Sequence, residues 1–337
     1  MKSNIAVGHF YNEPFIEACE PWKERIREVF FAWPGVLSCR PAPENSTENR
    51  ERLLSDLRWC RRNGILLDTL FNCNCYGENA ISANLASFVR SVMKDMDGEG
   101  LFPDIVTTTS PFIATVLKRH FPSLKIRWSV NGRVHGTVGF ECIEELFDSF
   151  YLTRERQREF DYVDSAVSWA RAHGKIAGMQ VNSGCLRQCP FQQFHDNLHG
   201  HGDGRRPEDI AAAQEYGFSF FRCRTAYSRG MYEDFIRATW VRPEDVPLWE
   251  ERGVEVFKVA TRKIANPTKI LAAYASYSYD GNLLDLMDPV HSDLFPAPID
   301  NKSFPDGFAV SGIGAKCAND CIHCGKCAEI LHRVMHA

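Results

Sequence analysis

The chain has 337 residues, a formal net charge of −4, 44% hydrophobic and 24% charged residues. These ordinary globular values exclude a disordered chain, a collagen-like repeat and a low-complexity fibre, and near neutrality argues against non-specific nucleic-acid binding. The unusual count is 13 cysteines, too few for a disulfide mini-scaffold and many for a reduced enzyme.

Short apolar, β-branched runs predict strands at Asn4–Phe10, Val36–Cys39, Ile65–Phe71, Asp104–Thr109, Ile126–Asn131, Phe147–Leu152, Ile176–Val181, Phe218–Cys223 and Val254–Val259. Helical stretches lie between them at Pro14–Phe31, Thr47–Arg62, Glu78–Met96, Pro111–His120, Arg154–His173, Pro207–Tyr216 and Pro243–Arg252. Several strands lack alternation and read as buried on both faces, as parallel strands do. Strands alternating with helices in this way predict a TIM-like (β/α)8 barrel over residues 1–282, with an open doubly wound sheet as the alternative. Residues 283–337 read as an irregular strap rich in Pro, Asp and Gly, leading to a cysteine-rich tail.

The N-terminal stretch carries no apolar run long enough for a signal peptide. No segment approaches the ~18 apolar residues of a membrane helix. A cytoplasmic chain with reduced thiols is therefore expected, and clustered cysteines then point to metal rather than disulfides. Asn45-Ser46-Thr47 fits a glycosylation acceptor, but without an export signal it reads as chance or as a cap for the helix that follows.

In a barrel, chemistry gathers where strands end. The predicted ends carry His9, Cys39, Cys73 and Cys75, Asn131 and Arg133, Thr153 and Arg154, Asn182 to Cys185, Arg222 to Arg224, and Lys258 to Arg262.

The densest motif is Cys317-Ala-Asn-Asp-Cys321-Ile-His-Cys324-Gly-Lys-Cys327. Four closely spaced loop thiols can wrap one polynuclear centre, and Gly325 would allow a tight turn around it. A structural zinc site also takes four thiolates, but zinc knuckles usually come as two separated pairs, so a 4Fe–4S cluster is favoured. Cys317, Cys321 and Cys324 also fit the C-x3-C-x2-C of radical S-adenosylmethionine enzymes. Those enzymes carry the motif before the barrel, so that reading is set aside.

The second constellation is Cys185 and Cys189, four residues apart, with Pro190 and His195 following. On a helical turn both thiols would face one way. Cys223, ending the next predicted strand, can converge with them. Cys39 could be a fourth ligand, with Cys73 and Cys75 as competitors. Buried apolar thiols remain the bland alternative. Cys19, Cys60 and Cys142 fall in predicted helices and read as packing residues. His199 and His201 read as part of a Gly-rich turn, whereas His195 is placed to handle protons beside a cluster.

The strand-end cysteine pair and Trp240-Val-Arg242-Pro243-Glu244-Asp245, followed by Gly253-Val254-Glu255-Val256-Phe257-Lys258-Val259-Ala260-Thr261-Arg262, resemble the collagenase-like peptidase family U-thirty-two. The resemblance covers roughly residues 1–285 in architecture and 175–285 in motif. It implies a TIM-like barrel with one 4Fe–4S cluster, and an oxygen-independent hydroxylase of a biosynthetic small molecule or of tRNA and rRNA bases. Cys185, Cys189, Cys223 and, by likeness to the ubiquinone-pathway type, Cys39 are then the implied ligands. The C-terminal four-cysteine tail is not part of the common pattern and implies a second cluster or a different owner for the only one.

The expected function is therefore an iron–sulfur enzyme acting on a small anionic substrate, served by an electron-donor protein. A base-modifying enzyme, a peptidase and an electron carrier are the alternatives. The net charge and the lack of a dense Lys/Arg run argue against RNA. A peptidase would lack both a Ser-His-Asp order and a HExxH signature. His195, Asn182 and Lys258 are the candidate catalytic residues. Arg133, Arg222, Arg224, Arg262 and His9 are the candidate substrate ligands, since Arg pairs bidentately with carboxylates.

Overall fold

Eight short runs, buried on both faces, form the strands of this computed structural model, which describes residues 3–38, 46–200, 211, 214–219, 221–262, 264–311 and 314–335. They are β1 (Ile5–Gly8), β2 (Ile26–Phe31), β3 (Leu66–Phe71), β4 (Ile105–Thr108), β5 (Lys125–Trp128), β6 (Ser149–Tyr151), β7 (Ile176–Gln180) and β8 (Val256–Val259). All pair in parallel, and β8 closes on β1. The chain is thus a closed (β/α)8 barrel, as the alternation of elements predicts, and not an open sheet.

The helices between strands start where capping chemistry places them. In α1 (Phe15–Cys19) and α2 (Thr47–Arg62) the buried faces turn to the barrel; α2 opens with the Ser46 hydroxyl accepting from the Asn49 amide at 3.1 Å. The Asn-Ser-Thr triplet therefore contains a helix cap. Next come α3 (Ala83–Gly98), capped by Ser82, and α4 (Pro111–His120), capped by Ser110 with Pro111 at its first position. After α5 (Thr137–Ile143) and α6 (Phe160–Ala172) the chain enters α7 (Gln192–Gly200), α8 (Arg222–Ser228), α9 (Glu233–Arg237), α10 (Val246–Glu251), α11 (Pro267–Ser276) and the tail helix α12 (Lys326–Met335).

Two predicted strands are corrected. β2 lies within the stretch predicted as the helix Pro14–Phe31. That helix stops at Cys19 and passes through a short 3-10 turn at Glu20–Trp22. Pro21 inside it has no amide to continue an α-helix. Val36–Ser38 form no strand, and Cys39 lies outside the described residues. No strand forms among the described residues of 218–223 either; Arg222 and Cys223 open α8 instead. Most of the predicted helix Pro207–Tyr216 lies outside the described residues. Cys19 and Cys60 are buried as expected, but Cys142 is exposed and is not a packing residue.

The barrel interior is partly charged. Ala6, Phe30, Leu70, Val130, Tyr151 and Val256 form an inner apolar cluster. Beside them Arg127 pairs with both oxygens of Glu28, and with Asp68 at 3.2 Å. Thr107 and Tyr151 complete the hydrogen bonds, with Thr107 donating to Asp68 at 2.7 Å. Buried ions need such pairing to be tolerated.

The closing motif is structural. Trp240 is fully buried among Phe235, Phe304 and Phe308. Arg242 pairs with Asp245 through two bonds of 2.8 and 2.9 Å. Glu244 accepts from the Asn301 amide at 3.0 Å and from Lys302 at 2.8 Å. The motif thus clasps the strap against the barrel. Leu283, Leu284, Leu286, Met287 and Ile299 on the strap are fully buried, and α12 adds Val334 to the same core.

Candidate active site at the barrel mouth

The segment after β7 turns sharply instead of forming a helix. Gln188 takes the left-handed conformation, with φ 53°, and helical structure resumes only at Gln192. Cys185 and Cys189 are therefore brought together by a turn, not by a helix face as their spacing suggests. Cys223 joins them from the start of α8. All three line one cavity of about 270 Å³ at the carboxyl end of the barrel strands. Burial pushes the Cys223 thiol up to about 11, with Cys185 and Cys189 adding to the rise, and burial also raises Cys189. A cation bound among the three thiols would drive them to thiolates.

Arginines and imidazoles complete the wall. Arg222, Arg224, Arg262 and Arg154 line the cavity, as do His195, His291, Asp196 and Asp288. Arg154 donates to the Cys185 sulfur at 3.8 Å and to Asn131 at 3.2 Å, and pairs with Asp196 at 3.4 Å. Arg133 does not line the cavity but holds Asp196 from behind at 3.0 Å. Arg224 is tied to Asp293 at 2.6 Å in an exposed pair. The Arg262 amide donates to Asp288 at 3.3 Å. His195 sets its ring edge-on to Phe221, with centroids 5.3 Å apart.

His291, from the strap, is 1% exposed, and neither ring nitrogen makes a hydrogen bond. Burial, and then Arg224, push its pKa down to about 4; the Gly184 backbone, in reach but outside hydrogen-bond geometry, pulls the other way. Its imidazole is neutral near pH 7.

Three of the candidate residues stand elsewhere. His9 is buried against Asp56 at 2.9 Å, between β1 and α2. Asn182 spends its amide on the backbone, donating to Ala260 and Leu286 at 2.7 and 2.9 Å and accepting from the Ala260 amide at 2.8 Å. Lys258 lies inside the barrel with its ammonium 4.1 Å from the Phe30 ring centroid. None of the three lines the cavity. Cys73 and Cys75, the competitors for a fourth ligand, also lie off it, and the Cys73 thiol donates to the Cys75 carbonyl at 2.7 Å. Arg154, Asp196, His291 and Asp288 are the ionisable wall residues that sequence reasoning left out of its site. Arg154 was visible only as one strand-end cation among several, and the strap residues belong to no motif.

The four tail cysteines Cys317, Cys321, Cys324 and Cys327 line a separate cavity of about 110 Å³. Gly325 turns the chain there at φ 67°, as its place in the motif predicts, and Asn319 does the same at φ 62°. None of the described cysteines forms a disulfide. Among the described residues, no three His, Cys, Asp or Glu side chains close on a point as a single ion requires. A four-iron cluster is a larger object and spreads its ligands wider. The donor set at each cavity, thiols gathered beside arginines, fits such a group.

Fold and site together define a (β/α)8-barrel protein with a thiol- and arginine-lined cavity at its catalytic end. Two comparisons show what the chain is similar to. The protein described as "Uncharacterized protease MJ1657" of Methanocaldococcus jannaschii is 22% identical over 320 residues, 93% of this chain and 90% of that protein. The structure of the U32 peptidase Mk0906 shares the fold with a TM-score of 0.53 and 14% identity, over 77% of this chain and 92% of that one. No family model matches the chain. Among the described residues no helix is long and apolar enough to cross a membrane.

Proposed function

We propose that the chain is an iron–sulfur enzyme that carries out an oxygen-independent hydroxylation, or a related redox modification, of a small anionic substrate at the barrel mouth, the hydroxyl oxygen coming from an oxygen-bearing organic co-substrate that is reduced as the substrate is oxidised. The observation that carries this reading is the convergence of Cys185, Cys189 and Cys223 with Arg222 and Arg262 on one cavity. When bound, a cluster with one iron position left open supplies Lewis-acid polarisation of an oxygen group and single-electron transfer.

The three cysteines would hold that cluster. The fourth iron would be the open position; Cys39, which the family resemblance implies as a ligand, lies outside the described residues. Arg222 and Arg262 orient a substrate carboxylate, because a guanidinium matches its geometry. Arg154 is a positioning residue, fixing Cys185 and Asp196. His195 and the neutral His291 are placed to take up or return a proton.

The test is anaerobic purification with iron and sulfide quantified, followed by calorimetry with a panel of dicarboxylates. Iron is expected in the wild type, with about four atoms lost in Cys185→Ser. Dicarboxylate affinity is expected to fall at least tenfold in Arg222→Ala. Iron unchanged in Cys185→Ser would overturn the reading.

The relatives' names favour a second reading, peptide hydrolysis, in which a cavity thiol attacks with His195 or His291 as base. Cleavage of a fluorogenic peptide library by metal-free protein, abolished by thiol alkylation, is the outcome that would establish it.

A further inference from the structure

Three arginines near the tail motif each keep one buried donor unpaired. Arg158, Arg187 and Arg237 come from three different parts of the barrel. Each buries an N–H without a hydrogen-bond partner: Nη2 of Arg158, Nε of Arg187 and Nε of Arg237. Arg187 already donates through Nη1 to the Cys317 sulfur at 3.7 Å. Arg237 lines the cavity of the four cysteines. Arg158 is buried, and its remaining bonds go to the carbonyls of Trp240 and Ile236 at 2.8 and 3.1 Å.

Carboxylates pair with two of the three arginines. Glu159 pairs with Arg187 at 3.2 Å, and Asp234 and Glu233 with Arg237 at 2.6 and 3.7 Å. Among the described residues Arg158 has no carboxylate within ion-pair distance; its guanidinium lies over the Trp240 ring at 4.3 Å, and its buried, unpaired N–H carries a cost that an anion would relieve. Four neutral thiols do not meet that need. Four thiolates around a metal centre, with net negative charge, do.

The tail also communicates with the barrel mouth. A groove of about 290 Å³ runs along Leu186–Phe191, with Cys189 on its wall toward the barrel and Cys321 on its wall toward the tail. Cys321 and Cys324 are exposed, whereas Cys185, Cys189 and Cys223 are only partly so.

We propose that Cys317, Cys321, Cys324 and Cys327 hold a second 4Fe–4S cluster within a ring of Arg158, Arg187 and Arg237, and that this exposed cluster is the electron-entry site for the barrel-mouth centre. A reduced one-electron donor protein of the ferredoxin class gives one electron to the tail cluster and is itself oxidised. The tail cluster passes that electron across the Leu186–Phe191 segment to the barrel-mouth centre, which is reduced by one electron, and itself returns to its starting state; no atom is transferred. The site itself stands independently; its role as entry point rests on the barrel-mouth reading above.

The test compares the anaerobic full-length chain with a Cys321→Ser/Cys324→Ser variant and with Cys185→Ser. Iron, zinc and sulfide are counted, and paramagnetic resonance is recorded after dithionite reduction. Roughly eight irons are expected in the wild type and about four in each variant, with the interacting signal of two centres replaced by that of one. Both substituted tail residues are exposed, so the fold should survive, which circular dichroism checks. Dithionite should still reduce the cluster left in the tail variant, while reduced ferredoxin should do so at least tenfold more slowly than in the wild type. Full iron retention in the tail variant, or zinc in place of iron in the tail, would overturn the proposal. An unchanged rate from ferredoxin would overturn the entry role. If instead Cys185→Ser loses no iron and the tail variant loses all of it, the barrel-mouth reading fails while the tail site stands.

Discussion

Asn182 sits in sequence beside the cysteine pair, yet its side chain ties β7 to the backbone after β8 and to the strap. Asn182→Ala strands a buried amide and two carbonyls, at a cost of about 2–4 kcal/mol. Urea denaturation is expected to record that loss; full stability with lost activity would assign Asn182 a chemical role instead. Asp68 allows a test of the barrel interior. Burial pushes its carboxyl up to about 7, against the pull of Arg127, while Arg127, outweighing burial, holds Glu28 below the usual range. Between the unfolded value of 3.8 and about 7, the native state binds the extra proton, so stability falls as pH rises through that window. Asp68→Asn is expected to flatten that decline in urea midpoints measured at pH 5 and pH 8; equal slopes in both proteins would contradict it. At this scale the cysteines were legible because thiols cluster for few reasons. His291 and Asp288 were not, because a single imidazole or carboxylate on an irregular strap carries no spacing to read.

Among the elements, the barrel was legible through strands buried on both faces, and α2 through its Ser46 cap. The failure at β2 came from reading Ile26–Phe31 as a continuation of the preceding helix despite Pro21. The failure at 218–223 came from an aromatic run that favours a strand locally but opens a helix in the fold. In both places tertiary pairing, which local pattern does not contain, decided the outcome. The Arg242–Asp245 motif, which carries the family resemblance, is a clasp: Asn301 donates to Glu244 at 3.0 Å and to the Tyr279 carbonyl at 2.7 Å. Asn301→Ala is expected to cost about 1–3 kcal/mol and to expose the strap near residues 283–311 to proteolysis before the barrel. Simultaneous cleavage of strap and barrel would argue that they unfold as one unit.

At the scale of the whole molecule, the cysteines divide by place. Three stand at the barrel mouth, four in the tail, and Cys19, Cys60 and Cys73 are buried elsewhere. The mouth is where barrel proteins place their chemistry, and the strap that supplies His291 and Asp288 also carries the chain on toward the tail. On the proposed reading, substrate and electrons arrive from different sides, at an inner cavity and an outer loop joined along Leu186–Phe191. The most direct measurement is anomalous diffraction at the iron absorption edge from crystals grown without oxygen. The account expects a strong peak among the sulfurs of Cys185, Cys189 and Cys223, and a second within Cys317–Cys327. Crystals of fully iron-loaded protein with no peak at the barrel mouth would contradict it.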